Sequence, residues 1–221
     1  MNNDTIVKRA IYTPSDLHVR EAEDGKLSRR ITGYAILFNS KSAPFYEDEA
    51  ESVYEMITPE AITRDFLDTQ DIKMTMFHDM HLILARSLTG KGTLSYDVDE
   101  KGVSFEFDAP NTVDGDKALE LVSRGDISGC SFMFSTRYAD SGYVSRESKI
   151  VGSRKETVFT VRKLTGLYDF TLTPDPAYPE TECSTRELVE QLRKEPQAEP
   201  KEGLTDITPV TKEIRNILNE I

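Results

Sequence analysis

The chain has 221 residues, 38% of them hydrophobic and 30% charged, with a formal net charge of −12. That length suits one medium domain plus a tail, and the composition permits an ordinary core while excluding global disorder. Acidity makes it a poor general ligand for phosphate backbones, since each contact starts from repulsion, so nucleic acid is not an expected partner. No run approaches the roughly 18 apolar residues that cross a bilayer. The polar stretch from Met1 to Ala10 also lacks the apolar centre of a secretion signal. Two cysteines, Cys130 and Cys183, are too few for a disulfide framework. A cytosolic protein with no membrane contact is expected.

In chain order, Leu17 to Phe38 reads as a hairpin, with Asp24-Gly25 between two extended runs. Pro59 to Leu67 predicts a short helix capped by Thr58, with proline at the first helical position. The acidic run Glu47-Asp48-Glu49-Ala50-Glu51 reads as a solvated loop, since it lacks calcium-loop spacing. Ile72 to Phe77 alternates apolar with polar residues, a strand with one buried face, and His78 stands at its end. Thr93 to Val98 and Val103 to Phe107 form a second hairpin about Asp99 to Gly102. Asp114 to Ser123 predicts a helix that stops near Gly125. Ile127 to Tyr138, Thr157 to Leu164 and Leu167 to Thr173 resume strand character, and Pro174, Pro176 and Pro179 end the pairing. The expected fold is mainly β with inserted helices, an α+β domain built as a small antiparallel barrel with helices around it. It spans residues 1–186. Residues 187–221 change to linker chemistry around Glu195 to Pro200, then to an amphipathic helix from Thr211 to Ile221. That helix either packs back on the domain or serves as a detachable docking tail.

Peptide-bond chemistry needs a nucleophile, a base, and a group that fixes the base in one tautomer. Of the three histidines, His18 lies in a charged hairpin arm, while His78 and His81 flank a strand end, where rigid scaffolds present reactive side chains. Two imidazoles and Asp79 also suggest metal ligation, but no other Cys or His cluster completes a zinc set, so neither metal nor cofactor is expected. The most suggestive serine is Ser131, in Gly125-Asp126-Ile127-Ser128-Gly129-Cys130-Ser131-Phe132-Met133-Phe134. Gly129 permits close approach of another backbone. In an extended strand Phe132 and Phe134 share one face, which fixes the direction of Ser131 on the other. Cys130 falls on the phenylalanine face and reads as a small buried hydrophobe. The same pattern also describes an inert serine on the wet face of a half-buried strand.

Seven short pieces occur in a suggestive order. They are Gly33-Tyr34-Ala35 with Phe38, Glu55-Met56-Ile57-Thr58-Pro59 with Ala61, His78-Asp79, Asp99 to Gly102, Ala109-Pro110-Asn111-Thr112, Gly125 to Phe132, and Asp175-Pro176-Ala177-Tyr178. Together they resemble the prohead proteases of tailed bacteriophages, a group similar in fold to the herpesvirus assemblin proteases. The likeness runs from about Gly33 to Thr181.

The resemblance implies a serine endopeptidase with Ser131 as nucleophile, His78 as general base and Asp169 in the third position, where the family often has glutamate. It also implies that the enzyme cuts scaffold or capsid-protein extensions, with self-cleavage left open, during procapsid maturation. Backbone N–H groups of Ala177 and Tyr178 are candidates for the oxyanion site, because Pro174 and Pro176 free that turn from ladder pairing. Met133 stands where many relatives have glycine, and His81 has no family role. The implied partners are the major capsid protein and the scaffold or delta domain. The implied location is the assembling procapsid in the host cytoplasm, and a homo-oligomer is left open. The alternative is a catalytically inactive, scaffold-like assembly protein on the same fold.

Overall fold

The computed structural model describes residues 5–10, 16–21 and 27–174. In chain order the first strands are β1 (Thr5–Ala10), β2 (His18–Glu21), β3 (Leu27–Leu37), β4 (Tyr46–Glu47) and β5 (Glu51–Ile57). A 3-10 turn at Pro59–Ala61 and helix α1 (Arg64–Leu67) lead into β6 (Asp71–Met76), β7 (Asp79–Leu88), β8 (Lys91–Gly92), β9 (Leu94–Val98) and β10 (Gly102–Asp108). Helix α2 (Val113–Ser123) precedes β11 (Gly129–Thr136), β12 (Val144–Val151), β13 (Arg154–Val161) and β14 (Gly166–Thr173). The fold is mainly β with few helices, as expected.

It is not a closed barrel. The strands form three open sheets, ordered β1-β11-β14-β6-β7-β8, β2-β3-β10-β9 and β12-β13-β5-β4. Two of the pairings, β14 with β6 and β13 with β5, are parallel. Strands far apart in sequence meet there, so hairpin-to-hairpin closure is broken and each sheet keeps free edges.

Alternation explains how the six-stranded sheet is oriented. Across its centre, Phe132 pairs with Phe170 and Phe170 with Met74, while Cys130 pairs with Leu172 and Leu172 with Met76. All six are essentially buried. This apolar face meets the sheet of β2, β3, β9 and β10, where the Phe105 ring lies 6.4 Å from that of Phe170. Phe132 and Phe134 stack at 5.3 Å. Each such side chain contributes about 1.5–3 kcal/mol by leaving water. The intervening residues Ser131, Thr171, Asp169 and Thr75 therefore share the opposite face.

Several local expectations hold and others need correction. Both strand pairs occur, though the Asp24-Gly25 turn lies outside the described residues, and α2 is capped by Thr112, whose Oγ1 accepts the Gly115 N–H at 3.2 Å, with Gly125 at φ 77° just past its end. The single helix expected from Pro59 to Leu67 is two pieces, separated by Ile62, which is extended and 1% exposed. Burying Ile62 outweighs continuing the helix, and Thr63, not Thr58, caps α1 through the Phe66 N–H at 3.1 Å. The acidic run is a loop only in its middle. Glu51 opens β5, is buried, accepts a hydrogen bond from Thr157 Oγ1 at 2.7 Å and pairs with Lys155 Nζ at 3.2 Å. Among the described residues no helix is long and apolar enough to cross a membrane. The boundary at residues 186 and 187, Cys183 and the C-terminal amphipathic helix lie outside the described residues.

The hairpin of β6 and β7 is clamped at its base. Asp71 accepts from Arg86 Nε at 2.7 Å and Nη2 at 2.8 Å, and from Lys73 Nζ at 2.7 Å. The Arg86 guanidinium, helped by Lys73, pulls the Asp71 carboxyl down to about 2. A depressed pKa makes this contribution complete above the unfolded value of about 3.9 and lost as pH falls toward the folded one. The group is partly exposed, so the contribution is about 0.5–1 kcal/mol. Urea unfolding should therefore separate wild type from Asp71→Asn at pH 6, and the gap should close between pH 4 and pH 2.

Candidate active site

Three adjacent strands present one row of polar side chains. Ser131 on β11 lies opposite Thr171 on β14, and Thr171 lies opposite Thr75 on β6. Asp169 stands one step along the same face of β14, opposite Met133 and Lys73. Thr75, Thr171 and Asp169 have no solvent exposure, and Ser131 is 3% exposed. A serine on a wet strand face, the inert alternative, is thus not what the fold contains.

The imidazole arrives from another direction. Met76 pairs with Asp79, so Phe77 and His78 are the two central residues of the tight turn joining β6 to β7. Both have φ 58°. Positive φ at both central positions is the mark of a type I′ hairpin turn, which ordinarily takes Asn-Gly because side chains disfavour it. The neighbouring turn of β7 and β8 follows that rule at its second position, with Thr89 at φ 50° and Gly90 at φ 76°. The Phe77-His78 turn has no glycine. It leans over β14, where the Phe77 N–H donates to the Leu172 carbonyl at 3.1 Å and the His78 N–H donates to Thr171 Oγ1 at 2.8 Å.

From that perch the ring spans the other two groups. His78 Nε2 lies 2.9 Å from Ser131 Oγ, and Nδ1 lies 3.0 Å from each oxygen of Asp169. A carboxylate only accepts, so Nδ1 carries the proton and Nε2 is left to accept from the serine hydroxyl. The single Thr75 hydroxyl proton is shared between Asp169 Oδ2 at 3.3 Å and Thr171 Oγ1 at 2.9 Å. The arrangement can take a proton from Ser131 and stabilise the imidazolium that forms, without moving a heavy atom.

His78 therefore contacts both Ser131 and Asp169. Ala177 and Tyr178 lie outside the described residues. His81 stands apart from the trio as an exposed residue of β7, its backbone N–H held by Asp79 Oδ1 at 2.8 Å. Among the described residues no group of three or more His, Cys, Asp or Glu side chains is gathered as a metal site would need. Sequence reasoning missed Thr75 and Thr171. A threonine in a strand reads as ordinary β propensity, and only the register reveals that both share the sheet face of the carboxylate.

A serine hydroxyl, an imidazole and a buried carboxylate in this order form the kind of site that serine peptidases use. A family model described as caudovirus prohead serine protease matches residues 15–195, and the chain belongs to that family. Comparison with curated proteins and with solved structures gave no match.

The left-handed turn carries a stability cost that one substitution should relieve. Asparagine tolerates positive φ, and the 40% exposed Phe77 loses limited burial on replacement. Phe77→Asn should raise the urea midpoint, corresponding to about 0.5–1 kcal/mol of added unfolding free energy. An unchanged or lower midpoint would show that the turn is not strained as its dihedrals indicate.

Proposed function

We propose that the chain is an active serine endopeptidase that cuts scaffold or capsid-protein extensions as the phage procapsid matures. The observation that carries this reading is the unbroken line from Ser131 Oγ through His78 to Asp169, at 2.9 Å and 3.0 Å. Membership of the family implies association with the phage procapsid. The major capsid protein and scaffold are the substrates in this reading, and the assembling procapsid in the host cytoplasm is where it works.

In the first step Ser131 Oγ attacks the scissile carbonyl carbon while His78 Nε2 takes its proton. The imidazolium is stabilised by the Asp169 carboxylate. The tetrahedral oxygen gains charge, and the backbone N–H groups of Ala177 and Tyr178 are the sequence candidates to receive it. Collapse breaks the C–N bond as His78 returns the proton to the departing amine. Water, deprotonated by the same imidazole, then releases the acyl group and regenerates the serine.

The test is cleavage of the cognate capsid precursor by purified protein. Wild type should give defined fragments, and Ser131→Ala should lower the rate by several orders of magnitude. Asp169→Asn should leave the fold in place but cost about 10³–10⁴ in kcat, because the amide favours the wrong imidazole tautomer. A fluorophosphonate probe should label Ser131 in wild type and not in His78→Ala. Equal cleavage by wild type and Ser131→Ala would remove the proposal.

A further inference from the structure

Three features around His78 stand together. Its backbone occupies a left-handed conformation at φ 58° in a turn without glycine. Its N–H is held by a side chain, Thr171 Oγ1, at 2.8 Å. That threonine is wholly buried, directly opposite Ser131 in the ladder, and its Oγ1 also receives the hydroxyl of Thr75 at 2.9 Å.

A turn of two non-glycine residues at positive φ has relaxed alternatives, and something must select against them. The Phe77 N–H fixes the first residue to β14 and the Met76–Asp79 pairing closes the turn, but neither holds the amide of His78. The Thr171 hydroxyl does. It pins the amide of His78 itself, one bond from the Cα that carries the imidazole. The same strand holds Asp169 two residues earlier, so base and carboxylate are referenced to one rigid element. Thr75 then supports Thr171: its hydroxyl, shared with Asp169, reaches Thr171 Oγ1 at 2.9 Å, so that oxygen is held between the Thr75 hydroxyl and the His78 amide.

We propose that Thr171 is a positioning residue for the base, acting through the main chain of His78, with Thr75 as its support. The inference rests on the proposed peptidase reading, since positioning has meaning only if His78 takes the serine proton. It assigns no contact with substrate to either threonine. Misplacement of a reacting group by about 1 Å costs on the order of 100-fold in rate, so the effect should be large for a residue that touches nothing reactive.

The experiment compares wild type, Thr171→Val, Thr171→Ala and Thr171→Ser for cleavage of the capsid precursor and for the rate of fluorophosphonate labelling at Ser131. Valine keeps the shape and removes the acceptor, alanine removes it without an added methyl, and serine keeps it. Valine and alanine should each lower kcat and labelling about 10- to 100-fold with KM within about twofold. Serine should stay within about threefold of wild type. Thermal unfolding and His78 amide exchange, measured in the Ser131→Ala background, should show a folded protein with lost protection at that amide. Unchanged kcat in either acceptor-free variant would overturn the inference, as would equal losses in the serine variant. If valine fails to fold, alanine against serine decides. An inactive, unlabelled wild type would sink the peptidase reading, whereas an active wild type indifferent to Thr171 would sink only this inference.

Discussion

A carboxylate with no exposure to water must find its partners inside the protein, and the site is organised around meeting that demand for Asp169. An unpaired charge there would cost several kcal/mol, enough to remove a large part of a small domain's stability. The charge is met by the His78 ring at 3.0 Å and by the Thr75 hydroxyl at 3.3 Å. The imidazole that satisfies it is at the same time turned toward Ser131. Folding and site assembly are thus one event, since the contact that makes burial of Asp169 tolerable also selects the tautomer that leaves Nε2 open.

Division of labour among the elements follows from rigidity. Ser131 and Asp169 lie on interior strands whose opposite faces carry Phe132, Phe170 and Leu172 in the packed core. Their directions are fixed by alternation, and no local freedom remains. His78 instead sits on a hairpin tip, from which its ring reaches over β14 to Ser131 on β11. A tip is mobile unless restrained. The left-handed turn, the Arg86–Asp71 clamp at the hairpin's base and the two bonds to β14 are the restraints. This explains why a conformation suited to glycine carries a phenylalanine and a histidine: the geometry serves the site rather than the turn.

How much of this was legible in the chain depended on whether the information was local. The hairpin of β9 and β10, helix α2 and strand β6 each carry their period and turn chemistry within a dozen residues and occur where expected, but β6 has no wet face at its end, since Thr75 is buried as fully as Met74 and Met76. β7 was missed because its pairing with β6 slips twice, so that Met80, His81 and Leu82 intervene between residues paired with Met76 and Thr75. No strand period survives such an interruption. β12 was missed for a different reason. Only Val144 is buried along its length, and an exposed edge strand has no apolar alternation to detect. β5 was obscured by Glu51 and Glu55, which a sequence reader places in water and the fold places against Thr157 and Tyr138. The open sheets were hidden by the parallel pairs, which join segments far apart in sequence.

The site shows the same limit more sharply. Residue chemistry alone left Ser131 with two readings, and it was the resemblance that joined it to His78 and Asp169. What separates the two readings physically is the neighbour on the next strand. A serine opposite Thr171, which is itself opposite Thr75, lies in a buried polar row, and a buried polar row has to be internally bonded or be expelled. The two threonines carry that requirement and left no mark in the sequence, because the identity of a cross-strand partner is a property of register. Register here is set by the phenylalanines and methionines on the core face. The apolar residues that seem remote from chemistry therefore decide which polar groups meet, and a one-residue slip of β14 would turn Asp169 and Thr171 into the core and leave His78 without either anchor.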